Sequence, residues 1–444
     1  MSRNIFSRCL LAVLLLAAAG TGVRAQSYGA FTPYSIFGVG DLLESGSAYN
    51  RSMGGVGIAT RSPRFINVLN PASITSRDSL SFMTDYSMYQ DNKYFSQAGM
   101  KSVSNTLSLA DLVISFPITR HSAMMVGIMP YSSTGYGYNS IYGKSSLIAD
   151  VGSVVYTANG RGTIYQAFAA AGVTFWDRLS LGAQGIFYFG HSEKMFTETF
   201  SASGYNGAAN GDELELSGWT GKFGLQYEQP IDRRSTITLG ATYRLQTKLQ
   251  GTVQDYRYSV GTAVTDTLYN NTIALGTPGN DVRLAGELGV GVSYHYRDLL
   301  LVSADYTRAD WTGTGLDKAP GFAGNLIPGT GHSIFTTAVA QTYRLGAEFV
   351  PNRNDVRYYF NRCAYRAGVY HKQEYYLLDG HHISATGVTL GLTLPVYGGY
   401  NGITLGVDFG QRGTVKDNLI RERYINFSVG FNLYDIWFRR MQYD

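Results

Sequence analysis

The sequence predicts an all-β fold: a transmembrane antiparallel up-and-down β-barrel of about 14 strands, with an N-terminal plug inside its lumen. Three observations carry this. The chain opens with an export signal, its residues alternate with a period of two from about 79 to 433, and its connections alternate between short and long.

The export signal occupies residues 1–25. Arg3 and Arg8 form a positive start, Leu10 to Ala19 an apolar run, and Val23-Arg24-Ala25 a small-x-Ala cleavage site before Gln26. The apolar run is too short to span a bilayer, and Cys9 precedes it instead of marking a lipid-anchored cleavage point. Removing Arg3, Arg8 and Arg24 leaves 33 of the 36 basic residues against 32 acidic ones, so no polyanion or nucleic-acid partner is implied. Of the two cysteines Cys363 remains, with no neighbour at metal-ligand spacing, and packing is its only expected role. The chain has 53 Gly, 34 Tyr and 22 Phe with only 15% charged residues, which suits a barrel with a small-residue lumen and aromatic girdles better than a soluble enzyme.

Residues 26–78 lack the alternation and are rich in Gly, Ser, Asn and Pro. Met53-Gly54-Gly55-Val56-Gly57-Ile58-Ala59 and Asn67-Val68-Leu69-Asn70-Pro71-Ala72 leave too few side chains for a strand face. Gly38-x-Gly40 and Gly55-x-Gly57 complete no dinucleotide fingerprint. The segment reads as a compact, irregular insert.

From residue 79 the alternation can be counted. Ile425, Phe427, Val429, Phe431 and Leu433 face one way, and Tyr424, Asn426, Ser428, Gly430 and Asn432 the other. Strands are expected near 79–90, 107–118, 122–133, 163–175, 179–191, 213–228, 235–248, 283–295, 299–310, 338–349, 363–376, 385–394, 402–411 and 422–433. Short turns such as Trp176 to Arg178 alternate with longer segments near 134–162, 192–212, 249–282 and 311–337, expected as external loops. An even count places both termini on one side, the periplasmic one. The barrel is assigned 79–433 and a periplasmic tail 434–444. A soluble sandwich would carry more Lys and Glu on its second face.

A barrel of this width needs filling, and residues 26–78 are the available plug. The Met53 to Ala59 run followed by Asn70-Pro71-Ala72 resembles the N-terminal hatch signature of the FadL-type family of outer-membrane transporters for long-chain fatty acids and other hydrophobic compounds. Met129-Pro130-Tyr131-Ser132 is similar to a segment that recurs there. The chain resembles a Bacteroidetes branch of that family, and PorV-like secretion accessories share the broad fold. The resemblance implies a fourteen-stranded barrel, a hatch held by Gly54, Gly55, Gly57, Asn67, Asn70, Pro71 and Ala72, and lateral release of ligand through a break in the third strand. Pro130, followed by Ser132, Ser133 and Gly135, is the candidate opening, because proline donates no ladder bond and the small residues pack weakly.

By alternation Arg244, Glu287, His295, Asp305, Arg344, Glu348, Arg366 and Asp408 point into the lumen. An arginine there could grip a carboxylate, but the near balance of sign favours mutual pairing that stiffens the wall and anchors the plug. No Gly-x-Ser-x-Gly elbow occurs, and Gly380-His381-His382, placed in an external loop, is a weak metal site. No enzyme activity, cofactor or metal is expected.

The functional expectation is passive uptake of small hydrophobic molecules across the outer membrane by a monomer in contact with its lipid. Aromatics such as Phe31, Phe37, Tyr136 and Tyr138 would supply the capture groove. The alternative is a non-transporting accessory barrel that docks secreted proteins or a secretion translocon.

Overall fold

A computed structural model describes residues 30–77, 81–97, 99–142, 153–202, 204–261, 265–322, 334–396 and 401–436. The expected signal peptide, the cleavage point and residues 437–444 lie outside the described residues. Fourteen antiparallel strands close into a barrel. The first six are β1 (Ser81–Gln97), β2 (Met100–Pro117), β3 (Ser122–Tyr142), β4 (Val154–Phe175), β5 (Leu179–Phe200) and β6 (Gly207–Pro230). Three strands are interrupted: β7 runs Ser235–Arg244 and resumes at Gln250–Val260, β8 runs Thr265–Leu275 and resumes at Glu287–Tyr296, and β10 opens with Phe335–Thr337 before its main run, Val339–Phe349. Then follow β9 (Leu300–Asp310), β10 (Val339–Phe349), β11 (Ala364–Leu378), β12 (His381–Pro395), β13 (Gly402–Arg412) and β14 (Arg421–Ile436). Closure is made by β1 on β14, from Ser81↔Ile436 to Ser96↔Arg421.

The alternation sets which face is which. Along β14, Ile425, Phe427, Phe431 and Leu433 are exposed, while Asn432 is buried inside. On β6 the outward aromatics Trp219 and Tyr227 lie eight residues apart, about 27 Å along the strand, which suits girdles at the two faces of a bilayer.

Three sequence expectations are corrected. The segments 134–162, 192–212 and 249–282 are largely strand: β3 runs on to Tyr142, β4 begins at Val154, β5 runs to Phe200, β6 begins at Gly207, and β7 and β8 include Gln250–Val260 and Thr265–Leu275. Their glycines suggested loops, yet Gly160 and Gly211 lie under the rings of Tyr136 and Tyr256 on neighbouring strands, where any larger residue would collide. The final strand runs to Ile436 instead of ending at 433, because Ser81 and Phe82 of β1 extend the ladder to Ile436 and Asp435. His381 and His382 open β12 after a two-residue Asp379-Gly380 turn, both with positive φ, and so do not sit in a loop.

Residues 30–77, called the hatch below, pack against inward-facing wall side chains such as Asp305, Arg344 and Thr389, with short helical turns at Pro33–Ile36, Ala48–Arg51 and Pro71–Ser76. Above them the 311–322 connection turns inward: Trp311, Leu316 and Phe322 are buried in one apolar cluster with hatch Tyr34 and Phe37 and wall Tyr375 and Tyr376. The upper lumen is thus a packed core.

Candidate functional site: hatch, ionic belt and strand seam

The hatch signature seats its backbone against the wall. Gly54 has φ 71°, and its N–H donates to Thr389 Oγ1 at 2.7 Å. A Cβ on Gly368 of β11 would collide with Gly54, so two glycines face each other where hatch and wall backbones meet. Gly57 and Ile58 donate their N–H groups to Asp305 Oδ2 at 2.6 and 2.9 Å. Asn67 ties the hatch to itself, donating to Gly57 O at 2.6 Å and Thr60 O at 3.1 Å. Asn70 Nδ2 donates to Ile58 O at 2.7 Å and to Leu225 O of β6 at 3.2 Å, while its Oδ1 accepts from Ala72 N at 3.0 Å and caps the Pro71–Ser76 turn. Pro71 and Ala72 are buried beside Gly182 of β5. Gly55 is also at positive φ, and a Cβ there would lie 3.0 Å from Arg344 Nε.

Most of the luminal charges named from the sequence are met by protein partners. Glu348 accepts from Arg366 Nε and Arg353 Nη2, both at 2.8 Å, and Arg366 lies over the rings of Tyr49 and Phe65 of the hatch at 4.5 and 4.9 Å. Arg344 meets hatch Glu44 at 3.0 Å, Arg244 lies 3.6 Å from Glu287, and both Asp408 oxygens accept from Tyr370 Oη at 3.0 Å. These side chains stiffen the wall and hold the hatch, and Arg244, Arg344 and Arg366 are engaged by protein acceptors.

The largest knot of charge includes residues the alternation did not single out. Arg412 is buried between Asp41 of the hatch at 2.7 Å, Glu374 at 3.3 Å and Glu422 at 3.8 Å, with Tyr376 Oη at 2.7 Å and the Tyr34 ring beneath it at 4.8 Å. Lys93 of β1 lies 3.8 Å from Asp41 and 3.6 Å from Asp91. The signal was present, since Arg412 continues the inward series Asp408 and Gly410, and Lys93 the series Tyr89 and Asp91. Strands read as ending at 90 and 411 stopped just short of both.

The third strand parts from the second. The β2–β3 ladder runs only from Pro117↔Ala123 to Leu112↔Ile128, although both strands continue upward, to Met100 and Tyr142. Two bulges mark the fork: β2 slips against β1 between its Leu109 and Asp111, opposite Met88 and Ser87, and β3 slips against β4 between Pro130 and Ser132. A bulge re-aims a strand. Pro130 sits just past the last β2–β3 pair and, having no N–H, cannot extend that ladder. Above it the hatch takes the edge that β2 leaves. Asp41 and Leu42 pair with Ser133 and Ser132, Leu43 N donates to Tyr131 O at 3.0 Å, and Thr32 N donates to Gly135 O at 2.7 Å. Gly40, with φ 90°, lets the hatch pass within contact of the Ser133 carbonyl. Ser132, Ser133 and Gly135 are therefore docking positions for the hatch on a strand that β2 has left.

Beside this seam lies a cleft lined by Met100 to Ser102 of β2, Tyr138 of β3, hatch Tyr34, Ile36 and Phe37, and Leu378, Leu419 and Ile420. Phe37 and Tyr138 are among its lining residues. Phe31 instead packs against Phe95 at 6.1 Å, and Tyr136 is buried on β3. Two luminal cavities share Leu42 to Glu44 in their walls and are rich in charge.

These features define a transmembrane β-barrel of the outer-membrane kind, with a luminal hatch and a wall that forks between its second and third strands. The chain belongs to the BamG family, whose model matches residues 1–444. Its fold is that of the FadL-like channels. The Pseudomonas putida toluene transporter TodX is 16% identical, with 91% of this chain and 100% of that one covered at a TM-score of 0.59. The Ralstonia pickettii toluene transporter TbuX is 16% identical over 88% of this chain and 98% of that one, at a TM-score of 0.57. The CymD monoaromatic hydrocarbon channel is 15% identical over 88% and 97%, at a TM-score of 0.58. No curated protein matches the sequence.

Proposed function

We propose that this barrel takes small hydrophobic molecules from outside the cell into the cleft beside β2 and β3 and releases them sideways into the membrane through the seam above Leu112 and Ile128. One observation carries the reading: an apolar cleft touches both strands just where their ladder is absent. A hydrophobic solute entering there meets Ile36, Phe37, Met100 and Leu419 and leaves without crossing the charged lumen. The three solved channels are named for monoaromatic hydrocarbons or toluene, which agrees with that ligand class. In this reading the protein works as a monomer, residues 26–78 form the hatch, both termini face the periplasm, and Asn70-Pro71-Ala72 keeps the axial path shut.

The test is uptake of a fluorescent hydrophobic probe by proteoliposomes holding wild-type protein or Pro130→Val. Restoring an N–H at the fork lets β3 rejoin β2, and slower uptake is expected. Unchanged uptake with intact folding removes the lateral route.

The second reading, an accessory barrel that docks secreted proteins or a translocon, is favoured by the closed lumen. Hatch Asp41 and Glu44 are locked to Arg412 and Arg344, and Phe37, Trp311 and Phe322 fill the mouth. Failure of the uptake test would leave this reading in place.

A further inference from the structure

We infer that the upper edge of β2, from Met100 to the fork at Asp111, is a docking edge for an extended β-strand of another outer-membrane protein, which would add to the wall by backbone hydrogen bonds. Three observations point there. First, β3 provides no ladder to this stretch, and the edge of β3 that faces it is taken by the hatch from Thr32 to Leu43. In a bilayer a strand edge needs a partner, because hydrocarbon offers its N–H and C=O groups nothing. The hatch shows that the fork accepts an added extended segment on one side.

Second, the stretch is patterned as a barrel stave. Val103 and Leu107 point outward, 74% and 64% exposed, while Thr106, Ala110 and Asp111 are buried. An incoming strand that alternates in the same phase would continue the apolar band outside and the polar lining inside.

Third, the outer face beside this edge carries amides where lipid would favour apolar side chains. Gln90 donates to Asn105 at 3.2 Å, Asn105 to Asn92 at 2.9 Å, and Asn92 to the Ile425 carbonyl at 2.9 Å. Gln90 is level with Phe427 on β14, inside the apolar band. Amides on the lipid face suit a protein neighbour, to which they can hydrogen-bond, better than acyl chains.

This inference stands apart from the uptake reading, because a strand docked here would cover the lateral exit; it deepens the accessory-barrel reading and is measured without uptake. Of the two cysteines, Cys9 lies in the expected signal peptide and Cys363 is fully buried, so in protein processed before Gln26 an added thiol reports alone. Ser104→Cys protein in lipid nanodiscs would be mixed with a cysteine-tagged synthetic peptide of the β13 sequence, Gly402–Arg412, used as a model stave. Val388→Cys, on the paired strand β12, is the control. Two further peptides would be N-methylated at alternate backbone amides, one set each. Strand addition requires that one methylated set lose disulfide yield at position 104 by about ten-fold or more, the loss of a few net hydrogen bonds, while the other retains it. Equal labelling by both methylated peptides means hydrophobic adhesion only and overturns the inference. So does labelling at position 388 as strong as at position 104. A disulfide between two copies through position 104, formed in preference to the peptide adduct, would also overturn it by assigning the edge to self-association.

Discussion

Arg412 Nη1 lies 2.7 Å from Asp41 Oδ1, so the second-to-last strand of the barrel holds the first acidic residue of the described hatch. The pair is out of solvent and shares its arginine with Glu374 and Glu422. Removing one partner from a buried pair leaves an uncompensated charge, at a cost of about 3–5 kcal/mol. Arg412→Met is expected to lower the thermal midpoint and to expose the hatch to trypsin. Arg412→Met with Asp41→Asn should recover part of the loss, as read by heat-modified gel mobility and limited proteolysis.

Asn70 acts through its amide N–H groups as much as through its cap. Asn70→Ala loses both functions, whereas Asn70→Asp keeps the acceptor for Ala72 N but places a charge against the Ile58 and Leu225 carbonyls. Both variants should destabilise the hatch, by about 1–3 kcal/mol or more. An aspartate variant as stable as wild type would mean that the cap alone matters.

Gly368 and Gly185 separate close approach from mere composition. A Cβ on Gly368 would strike the backbone of Gly54, whereas one on Gly185 meets nothing within 4 Å. Gly368→Ala should therefore cost about 1–3 kcal/mol by overpacking and loosen the hatch, and Gly185→Ala should be nearly neutral. Unfolding followed by tryptophan fluorescence compares the two directly.

Met100 lines the cleft yet is exposed, so it can be changed without disturbing the core. Met100→Lys puts a charge at the cleft mouth and should weaken uptake of a toluene-like probe several-fold while leaving the melting temperature in place. Equal uptake would place the capture site elsewhere.

The sequence made some of this legible and not the rest. Alternation such as Ile425 to Leu433 is enforced by a bilayer outside and a lumen inside, so the number of staves and the direction of Arg344 or Glu348 could be read locally. The extents of β3 to β8 could not, because Gly160 and Gly211 look like loop residues until the tyrosines of neighbouring strands cover them. Arg412 and Lys93 were missed because each lies one to three residues beyond an expected strand end.

Pro130 shows the division most clearly. Its identity as a residue without an N–H is written in the chain, and so is the glycine-rich hatch with Asn70-Pro71-Ala72. Those features determined that a ladder would be interrupted and that an irregular segment had to be packed inside. Only the tertiary structure decided that β2 stops pairing at Leu112, that hatch residues 41–43 take the vacated edge of β3, and that Gly54 meets Gly368. Each of these joins residues tens to hundreds of positions apart, and no local period can encode which backbone edge a distant segment will satisfy.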